Sequence, residues 1–475
     1  MGIEYGEKRS PFIDYGRPSL FLDFAKRKSL VDAISKNNLI TFTRSSTATY
    51  VGSDGLIKTA AADEPRFDHD PVTGECLGLL IEEQRSNLFL NSDSPVSQII
   101  TLSDSTTYTS SFYGTGTATI TTASTTVTGG ELLFNSEFDT NFNNWREDGS
   151  ATASVSNGIL NVVTTATYKG VTQQLPTTPG KFYKATYRSR IVSGGGYTDF
   201  CYNGTDLILT MENSAAGFVV KTGYFLATST TTSIRLRMRN AGTFEVDYAR
   251  IQEVSPSTVA TLTGSGAYPT RSNETFTTGT SIVDDDEYWI EVSGSVDKVQ
   301  LEAGSFPTSY IPTSGSTITR QPDNASITGT NFSDWYNATE GTLYTDFIPA
   351  SVPTSALSCV ASIASNNINA FGIYSFNTYQ LRNIVSNSSN VLLDVGTILN
   401  EDTNKIAATM KLNDFAASLN GGAVGTDTDG VLQSTPNTTF YIGTFGGIDQ
   451  YTGRIKQLLY YPTRLTNTQL QALTQ

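Results

Sequence analysis

The sequence predicts an all-β protein that contains several domains of the β-sandwich or jelly-roll type, preceded by a short N-terminal arm. Segments in which apolar and polar residues alternate recur along the chain, which is typical of half-buried strands. Turn-forming residues separate these segments, and the chain has 40 glycines, as expected for strands joined by tight turns. Only 16% of the residues are charged, whereas Thr, Tyr and other residues that favour strands are abundant. A chain of 475 residues is long enough for about three domains.

The first 95 residues are expected to form the arm and one compact unit. Residues 1–18 are polar and lack a clear period, which suits an extended arm that orders only against a partner. Residues 19–95 contain predicted strands at 19–24, 39–42 and 47–51, the last of them followed by a Ser-Asp-Gly turn. The apolar residues of 29–35 lie on one helical face, so a short helix is predicted there.

Clear alternation continues through the middle of the chain. It predicts strands at 107–113 and 117–121, and again at 275–276 and 288–292. Two similar phrases, STTVTG from residue 124 and STVATLTG from residue 257, look like the two sides of one hairpin region. The residues between these phrases predict four further strands, at 158–163, 182–189, 218–225 and 233–239.

The stretch VQLEAGSFPTSYIPTSGSTITRQPD, residues 299–323, predicts a rigid connector between two β-rich parts. Glycine and proline recur in it at short intervals, so a strand cannot continue there. Phe306, Tyr310 and Ile311 are nevertheless large enough to anchor the segment against a neighbouring surface. The last unit follows, with predicted strands and a final helix over 466–473 that Thr466 would cap. The predicted strands are 341–348, 371–374, 405–412, 415–419, 440–443 and 454–461.

Four long blocks of the sequence together resemble a family of bacteriophage virion proteins of the tail-fibre or head-fibre type. In chain order they are LITFTRSSTATYVGSDGLIKTAAADEPRFDHDPVTGE, GLLIEEQRSNL, QLEAGSFPTSYIPTSG followed by TRQPD, and RIKQLLYYPTRLTNTQLQAL. The resemblance covers roughly residues 17–128 and 256–475.

The resemblance implies that one β-domain is inserted into another. It divides the chain into an N-terminal arm, 1–18; a virion-attachment unit, 19–95; a discontinuous β-sandwich, 96–129 plus 256–312; an inserted jelly roll similar to carbohydrate-binding modules, 130–255; a linker, 313–329; and a concanavalin- or laminin-G-like sandwich, 330–475. The implied protein is a virion component, made in the host bacterial cytoplasm, whose lectin-like modules bind host surface glycans for receptor binding and host attachment. Its implied partners are other tail or capsid proteins and further copies of itself in a homotrimer.

Charge and hydropathy exclude other classes of partner. The net charge of −14 and the pI near 4.6 disfavour binding to a nucleic-acid backbone. No run of about 18 apolar residues is present, so membrane insertion is not expected, and the first residues lack the apolar core of a signal peptide. Cys76, Cys201 and Cys359 are far apart in sequence, which disfavours disulfides.

Histidine usage argues against catalysis. His69 is the only histidine, so one chain cannot assemble a multi-histidine metal site, and a Ser-His-Asp triad would have to use His69 itself. His69 is expected to be structural. Glycoside hydrolysis needs only two carboxylates, but the E-x-D-x-x-E spacing of concanavalin-type glucanases does not occur between Gln321 and Gln475. The chain is therefore predicted not to be an enzyme; a polysaccharide depolymerase and a capsid decoration or cement protein without receptor binding stay open as alternatives.

A structural calcium ion is expected in the inserted domain, because jelly rolls often hold their terminal strands together with one ion and calcium takes oxygen ligands. Glu137 and Asp139 near the first strand and Asp247 in the last strand match the positions that such modules use. The alternative is that Asp247 only caps a strand end.

Candidate sugar-binding residues are tyrosines near turns and strand ends, since their rings can stack on pyranose faces while amides and carboxylates bind hydroxyls. Each has packing as its alternative role. In the inserted domain the candidates are Tyr168, Tyr197, Tyr202 and Asn203; in the last unit they are Tyr374, Tyr379 and Tyr451.

Overall fold

A computed structural model describes residues 16–475 apart from residues 195, 203–205, 213–216, 284–285, 352–356, 367–368, 377, 386–387, 398, 400, 434–435 and 447. Most of the predicted arm thus lies outside the described residues. The chain divides into two compact units. Unit 1 contains the described residues up to Asn87 together with Thr308–Pro312 and Ile318–Gln475, and unit 2 contains Leu88–Pro307 and Thr313–Thr317. Within the described part of the chain, no helix is long and apolar enough to cross a membrane.

The first segment of unit 1 contributes seven short strands and one helical turn. They are β1 (Leu20–Asp23), α1 (Phe24–Arg27), β2 (Thr41–Thr43), β3 (Ala48–Val51), β4 (Ile57–Ala60), β5 (Arg66–His69), β6 (Cys76–Ile81) and β7 (Arg85–Asn87). The predicted helix over 29–35 is a turn instead. Asp32 explains the difference, because its carboxylate accepts hydrogen bonds from the backbone N–H of Phe21, at 2.8 Å, and of Ser35, at 2.6 Å, and so competes with helical bonding.

Unit 2 is made of sixteen described strands. They are β8 (Gln98–Thr101), β9 (Thr107–Gly114), β10 (Thr117–Glu131), β11 (Arg146–Glu147), β12 (Ala151–Ser156), β13 (Ile159–Thr164), β14 (Lys169–Pro176), β15 (Phe182–Ser193), β16 (Tyr197–Tyr202), β17 (Asp206–Glu212), β18 (Val219–Leu226), β19 (Thr231–Met238), β20 (Gly242–Thr263), β21 (Gly266–Thr277), β22 (Glu287–Ser293) and β23 (Val296–Ala303).

The last segment of unit 1 adds twelve described strands and two short helices. They are β24 (Ile318–Arg320), β25 (Asn324–Thr328), α2 (Thr330–Ser333), β26 (Glu340–Pro349), β27 (Ser358–Asn366), β28 (Asn369–Phe376), β29 (Thr378–Val385), β30 (Ser388–Thr397), β31 (Asn404–Lys411), β32 (Phe415–Leu419), β33 (Gly425–Asp427), β34 (Thr439–Ile442), β35 (Gly453–Tyr461) and α3 (Asn467–Leu473). The prediction for α3 is confirmed, since Thr466 and Gln469 form a capping box at its start.

Unit 1 is a sandwich of two antiparallel sheets. One has the order β33-β32-β31-β26-β35-β6-β5, with β1 also pairing with β35, and the other has the order β2-β25-β34-β27-β28-β29-β30. The apolar faces enclose one core that includes Leu22, Ile81, Phe347 and Phe440. The separate unit expected for residues 19–95 is therefore not what the structure contains: β1, β2, β5 and β6 complete the sheets of the C-terminal sandwich, while β3 pairs with β4 and β7 pairs with β24. Strands of three to six residues bury too little surface to hold a core of their own.

Unit 2 contains two sandwiches, one inserted into the other, which confirms the predicted fold class. In the inserted jelly roll, the sheet β12-β13-β20-β15-β18 packs against the sheet β11-β14-β19-β16-β17, and their shared core includes Leu160, Phe200, Leu236 and Phe244. The long strands β10 and β20 run on into the smaller sandwich. There they join β22 and β8 in one sheet, while β21, β9 and β23 form the other.

Three of the four sequence blocks that carry the family resemblance meet in a buried charge cluster in unit 1. The cluster consists of Arg44, Arg66, Arg320, Glu82 and Asp323, all at most 2% exposed. Glu82 Oε2 lies 2.7 Å from Arg66 Nη1 and 3.1 Å from Arg320 Nη1, and Asp323 Oδ1 lies 2.9 Å from Arg44 Nη1. The connector joins the cluster through the backbone N–H of Ser309, which donates to Glu82 Oε1 at 2.7 Å. Tyr310 and Ile311 are buried, as expected of residues that anchor the connector, whereas Phe306 is only partly buried.

Candidate ligand-binding face of the inserted domain

Four of the predicted sugar-binding tyrosines lie in hydrophobic cores and cannot stack on a ligand. Tyr374 and Tyr379 are fully buried, and Tyr451 and Tyr202 are 2% and 5% exposed. The ring of Tyr202 stacks on Phe225 with the centroids 4.8 Å apart. The structure thus corrects the prediction for these four, because Tyr202, Tyr379 and Tyr451 belong to the cores of their sandwiches and Tyr374 belongs to a smaller buried cluster. Asn203, predicted beside Tyr202, lies outside the described residues.

Tyr168 and Tyr197 are the two predicted tyrosines whose rings reach solvent, with 51% and 39% of their surface exposed. They flank the end of β19 in the inserted jelly roll. The backbone N–H of Tyr168 donates to the carbonyl of Arg239 at 3.4 Å, and the N–H of Arg239 donates to the carbonyl of Tyr197 at 2.9 Å. The two tyrosines therefore lie on either side of Arg239 at one end of the sheet.

Three arginines form a row on the outer face of this sheet. Arg235 and Arg237 lie on β19 and Arg239 follows it, while Leu236 and Met238 between them point into the core. Because side chains alternate along a strand, the three guanidinium groups lie on the same face at intervals of about 7 Å. We call this set the arginine row. In the sequence this row is the alternating run RLRMR. The alternation predicts a strand, but by itself it does not predict a binding site.

A buried carboxylate fixes the arginine row. Asp199 on β16 is fully buried, and its Oδ2 lies 3.1 Å from Arg237 Nε and its Oδ1 2.9 Å from Arg239 Nε. The guanidinium of Arg237 lies 5.0 Å from the ring centroid of Tyr168, and that of Arg239 lies 4.9 Å from the ring centroid of Tyr197. Charge-assisted hydrogen bonds and cation–π contacts hold both arginines and both rings in place.

The face carries an excess of positive charge among its described side chains. Asp148 lies 3.4 Å from Lys169 Nζ and 3.5 Å from Arg235 Nη2. Arg146 is exposed and lies opposite Thr172, which in turn lies opposite Arg235. The described groups are thus four arginines and two carboxylates, with Lys169, which lies opposite the inward-pointing Met238, at the edge of the face; the side chains of residues 203–216 are outside the described part. A local positive face contrasts with the net charge of −14 of the chain.

Cys201, beside the arginine row, is not suited to be a nucleophile. It lies opposite Arg235 in the strand register and is fully buried. Burial raises the pKa of its thiol to about 12, although the charge of Arg237 acts in the opposite direction. A thiol in this state carries little of the reactive thiolate at neutral pH.

The carboxylates predicted to bind calcium are not placed for it. Glu137 Oε1 lies 2.7 Å from Arg250 Nε, Asp247 forms an ion pair with Arg188, and Asp139 is exposed. Across the described part of the chain, no group of three or more His, Cys, Asp or Glu residues is arranged to hold a metal ion. Glu137 and Asp247 each form an ion pair with an arginine. They are therefore not arranged as a set of oxygen ligands for calcium.

His69 has the structural role expected of it. Its side chain is 5% exposed, and Nδ1 lies 3.0 Å from the carbonyl oxygen of Val51. The neighbouring Asp70 accepts hydrogen bonds from the backbone N–H groups of Thr73 and Val72, which lower the pKa of its carboxyl. Both residues brace the turn between β5 and β6.

Comparisons with known proteins gave structural neighbours only. No protein-family model and no curated protein matches the sequence. The CBM22-1 xylan-binding domain of Paenibacillus barcinonensis Xyn10C is 14% identical over 28% of this chain and 100% of its own, with a TM-score of 0.24. Domain 4 of the arabinanase AbnA from Geobacillus stearothermophilus, solved with arabinotriose, is 14% identical over 36% of this chain and 82% of its own, with a TM-score of 0.27. Trypanosoma rangeli sialidase is 14% identical over 32% of this chain, with a TM-score of 0.25, and this chain spans 25% of its length.

Proposed function

We propose that this chain binds carbohydrate through the outer face of the inserted jelly roll. The observation that carries the proposal is the pair of exposed rings, Tyr168 and Tyr197, held on either side of Arg239 by Asp199-bound arginines. Aromatic rings stack on the apolar faces of sugar rings, and guanidinium groups donate hydrogen bonds to sugar hydroxyls. A rigid arrangement of both kinds of group loses little entropy when a ligand binds.

Binding without cleavage fits this face best. A glycosidase needs one carboxylic acid that donates a proton and a second carboxylate that acts as a base or nucleophile. On this face, both oxygens of Asp199 contact arginines, and Asp148 lies between Lys169 and Arg235. Each described carboxylate is thus committed to cations rather than available to a glycosidic oxygen.

The setting that we propose is a phage virion, in which the chain is a tail or head fibre subunit. The support is the resemblance of the sequence blocks quoted above, together with the carbohydrate-binding role that we propose for the inserted domain. In this setting the N-terminal region contacts other virion proteins, and several copies, in a homotrimer, act together. Repetition makes weak single-site binding to a host surface glycan effective, because later sites bind at a high local concentration.

The test compares alanine substitutions of the two exposed tyrosines with substitution of another tyrosine that packs against an arginine in the same domain. Tyr248 lies on the opposite sheet and also packs against an arginine, with Arg250 4.4 Å from its ring centroid. On an array of bacterial surface polysaccharides, we expect Tyr168→Ala and Tyr197→Ala each to weaken binding by about three- to tenfold, and Tyr248→Ala to leave it unchanged.

Three results would overturn the proposal or part of it. One is binding that survives in the Tyr168→Ala/Tyr197→Ala double variant, which would place the ligand elsewhere. Another is release of reducing ends from a bound polysaccharide, which would favour a depolymerase. Absence of any glycan binding, with the chain located on the capsid shell, would favour a cement protein.

A further inference from the structure

The charge of the same face allows the ligand class to be narrowed. We infer that the carbohydrate bound by the inserted jelly roll is an acidic polysaccharide, whose carboxylates pair with the arginine row. This inference rests on the proposed function.

The first argument is the imbalance of charge. Four arginines and two carboxylates are described on the face, with Lys169 at its edge, and Asp199 lies between Arg237 and Arg239 without balancing the whole set. A neutral sugar would cover these cations without supplying a counter-charge, at a cost in desolvation. A carboxylated sugar supplies the counter-charge in the form that arginine binds best, as paired hydrogen bonds to a planar acceptor.

The second argument is Arg235, the outermost member of the row along β19. Its side chain is 26% exposed, and its Nη2 lies 3.5 Å from Asp148, which is longer than a hydrogen bond. Its Nε is buried and has no hydrogen-bond partner among the described residues. A guanidinium that is partly shielded from water and incompletely bonded is suited to an incoming anionic acceptor.

The third argument is the layout of the row. Its guanidinium groups repeat at intervals of about 7 Å along one strand, with a ring at each side of one end. A linear series of charges fits an extended polymer with repeated carboxylates better than a single small anion. The rings favour a sugar polymer, because they add stacking that a simple polyanion cannot use.

The experiment measures binding of the full chain to three carboxylated polysaccharides, namely polygalacturonate, alginate and hyaluronate. Each is paired with its carboxyl-reduced, neutral form, and dextran sulfate is included as a sulfated polyanion. We expect at least one carboxylated form to bind about tenfold or more tightly than its reduced form. The preference should shrink as salt rises, because salt screens exposed charge pairs.

Substitutions assign the preference to the arginine row. Arg235→Gln should lose most of the preference for the carboxylated form, while Arg235→Lys, which keeps the charge but not the paired hydrogen bonds, should retain part of it. The matched control is Arg190→Gln on the opposite sheet, since Arg190 is 42% exposed and pairs with Glu245; it should behave as the unaltered chain. Protection of the buried thiol of Cys201 from alkylation verifies that each variant is folded.

The possible outcomes separate this inference from the proposed function. Equal binding of carboxylated and reduced forms, lost in Tyr168→Ala, would overturn the acidic ligand but keep glycan binding. Dextran sulfate binding as well as or better than every carboxylated form would overturn it too, since the face would then be a general anion binder. Lack of binding to every polysaccharide in both forms, and on the bacterial glycan array, would overturn both.

Discussion

Glu82 is the residue on which the buried charge cluster of unit 1 depends most. Burial alone would raise the pKa of its carboxyl, but Arg320 and Arg66 outweigh burial and hold the pKa well below its usual range. Glu82→Gln keeps the shape of the side chain but removes its charge, so that within the cluster Asp323 alone faces three arginines. We expect unit 1 to lose about 3–5 kcal/mol of unfolding free energy. Alkylation of the buried Cys359 in increasing urea measures this loss, because Cys359 lies in unit 1.

Two controls accompany this prediction. Glu83→Gln alters the neighbouring residue, whose side chain is 34% exposed and pairs with Arg85, so it should cost less than about 1 kcal/mol. Cys201 lies in unit 2, and its alkylation in the Glu82→Gln variant should follow the unaltered chain. Equal effects of Glu82→Gln and Glu83→Gln would contradict the role given to the cluster.

The lowered pKa of Glu82 also predicts how stability depends on pH. The pKa of this carboxyl is about 4.3 in the unfolded chain and lower in the folded chain. Its contribution is therefore complete above about pH 5 and is lost as the pH falls towards the folded value. Between about pH 5 and pH 3, unit 1 of the unaltered chain should lose stability more steeply than unit 1 of Glu82→Gln. Urea unfolding followed by the fluorescence of Trp335, with Trp145→Phe and Trp289→Phe in both proteins, measures this; parallel pH profiles would contradict it.

Tyr197 and Tyr202 show what sequence can predict about a site. Both lie on the strand β16, and both were candidates because they are tyrosines near a turn. One ring is exposed and the other is in the core, because five residues of separation place them on opposite faces. Alternation predicts that the faces differ, but only the partner sheet determines which face is buried. The role of Asp199 was missed for the same reason, since its two arginines are almost forty residues further along the chain.

Gly170 on β14 sets the close approach of two strands beneath the arginine row. A Cβ atom there would lie 1.9 Å from the carbonyl oxygen of Leu236 and 2.7 Å from the Cα of Arg237. Gly170→Ala should therefore push β14 away from β19, cost unit 2 about 1–3 kcal/mol and weaken glycan binding. Gly130→Ala is the matched control, because its Cβ would meet nothing within 4 Å. Alkylation of Cys201 in urea reports stability, and biolayer interferometry reports binding; equal behaviour of the two variants would contradict the strand-spacing argument.

Most strands could be predicted because alternation is a local property. The strand predicted over 415–419 is β32 as found, and those predicted over 341–348 and 454–461 differ from β26 and β35 by one residue at their ends. The pairing of strands could not be predicted in this way. Leu20 lies opposite Tyr460, at the other end of the chain, and neither residue carries a signal that identifies its partner. The sequence therefore predicted a separate N-terminal unit where the structure has one shared sandwich.

The insertion of the jelly roll predicts that it can be excised from the chain. The chain enters through β10 and leaves through β20, where Ala123 lies opposite Pro256. The nine strands β11 to β19 and the first part of β20 form both sheets and their own core. Residues 130–255 should therefore fold alone, and the remaining chain should fold when a short glycine-containing turn joins Ala123 to Pro256.

The excised domain should be less stable than it is within the full chain, but its affinity for the polysaccharide should be unchanged. Phe182 and Leu226 pack with the buried Val283 and the partly buried Trp289 of the host sandwich, so excision exposes apolar surface and should cost about 1–3 kcal/mol of unfolding free energy. The arginine row and both exposed tyrosines lie entirely within residues 130–255. The excised domain should thus bind the same polysaccharide as the full chain, each compared as a single copy. Their affinities should agree within about twofold, a difference in binding free energy below ~0.5 kcal/mol. Calorimetric titration of both proteins measures this, with excised Tyr197→Ala as the control for the site. A folded domain that no longer binds would show that residues outside 130–255 contribute to ligand binding. A domain that does not fold would show that the contacts of Phe182 and Leu226 are required for the core.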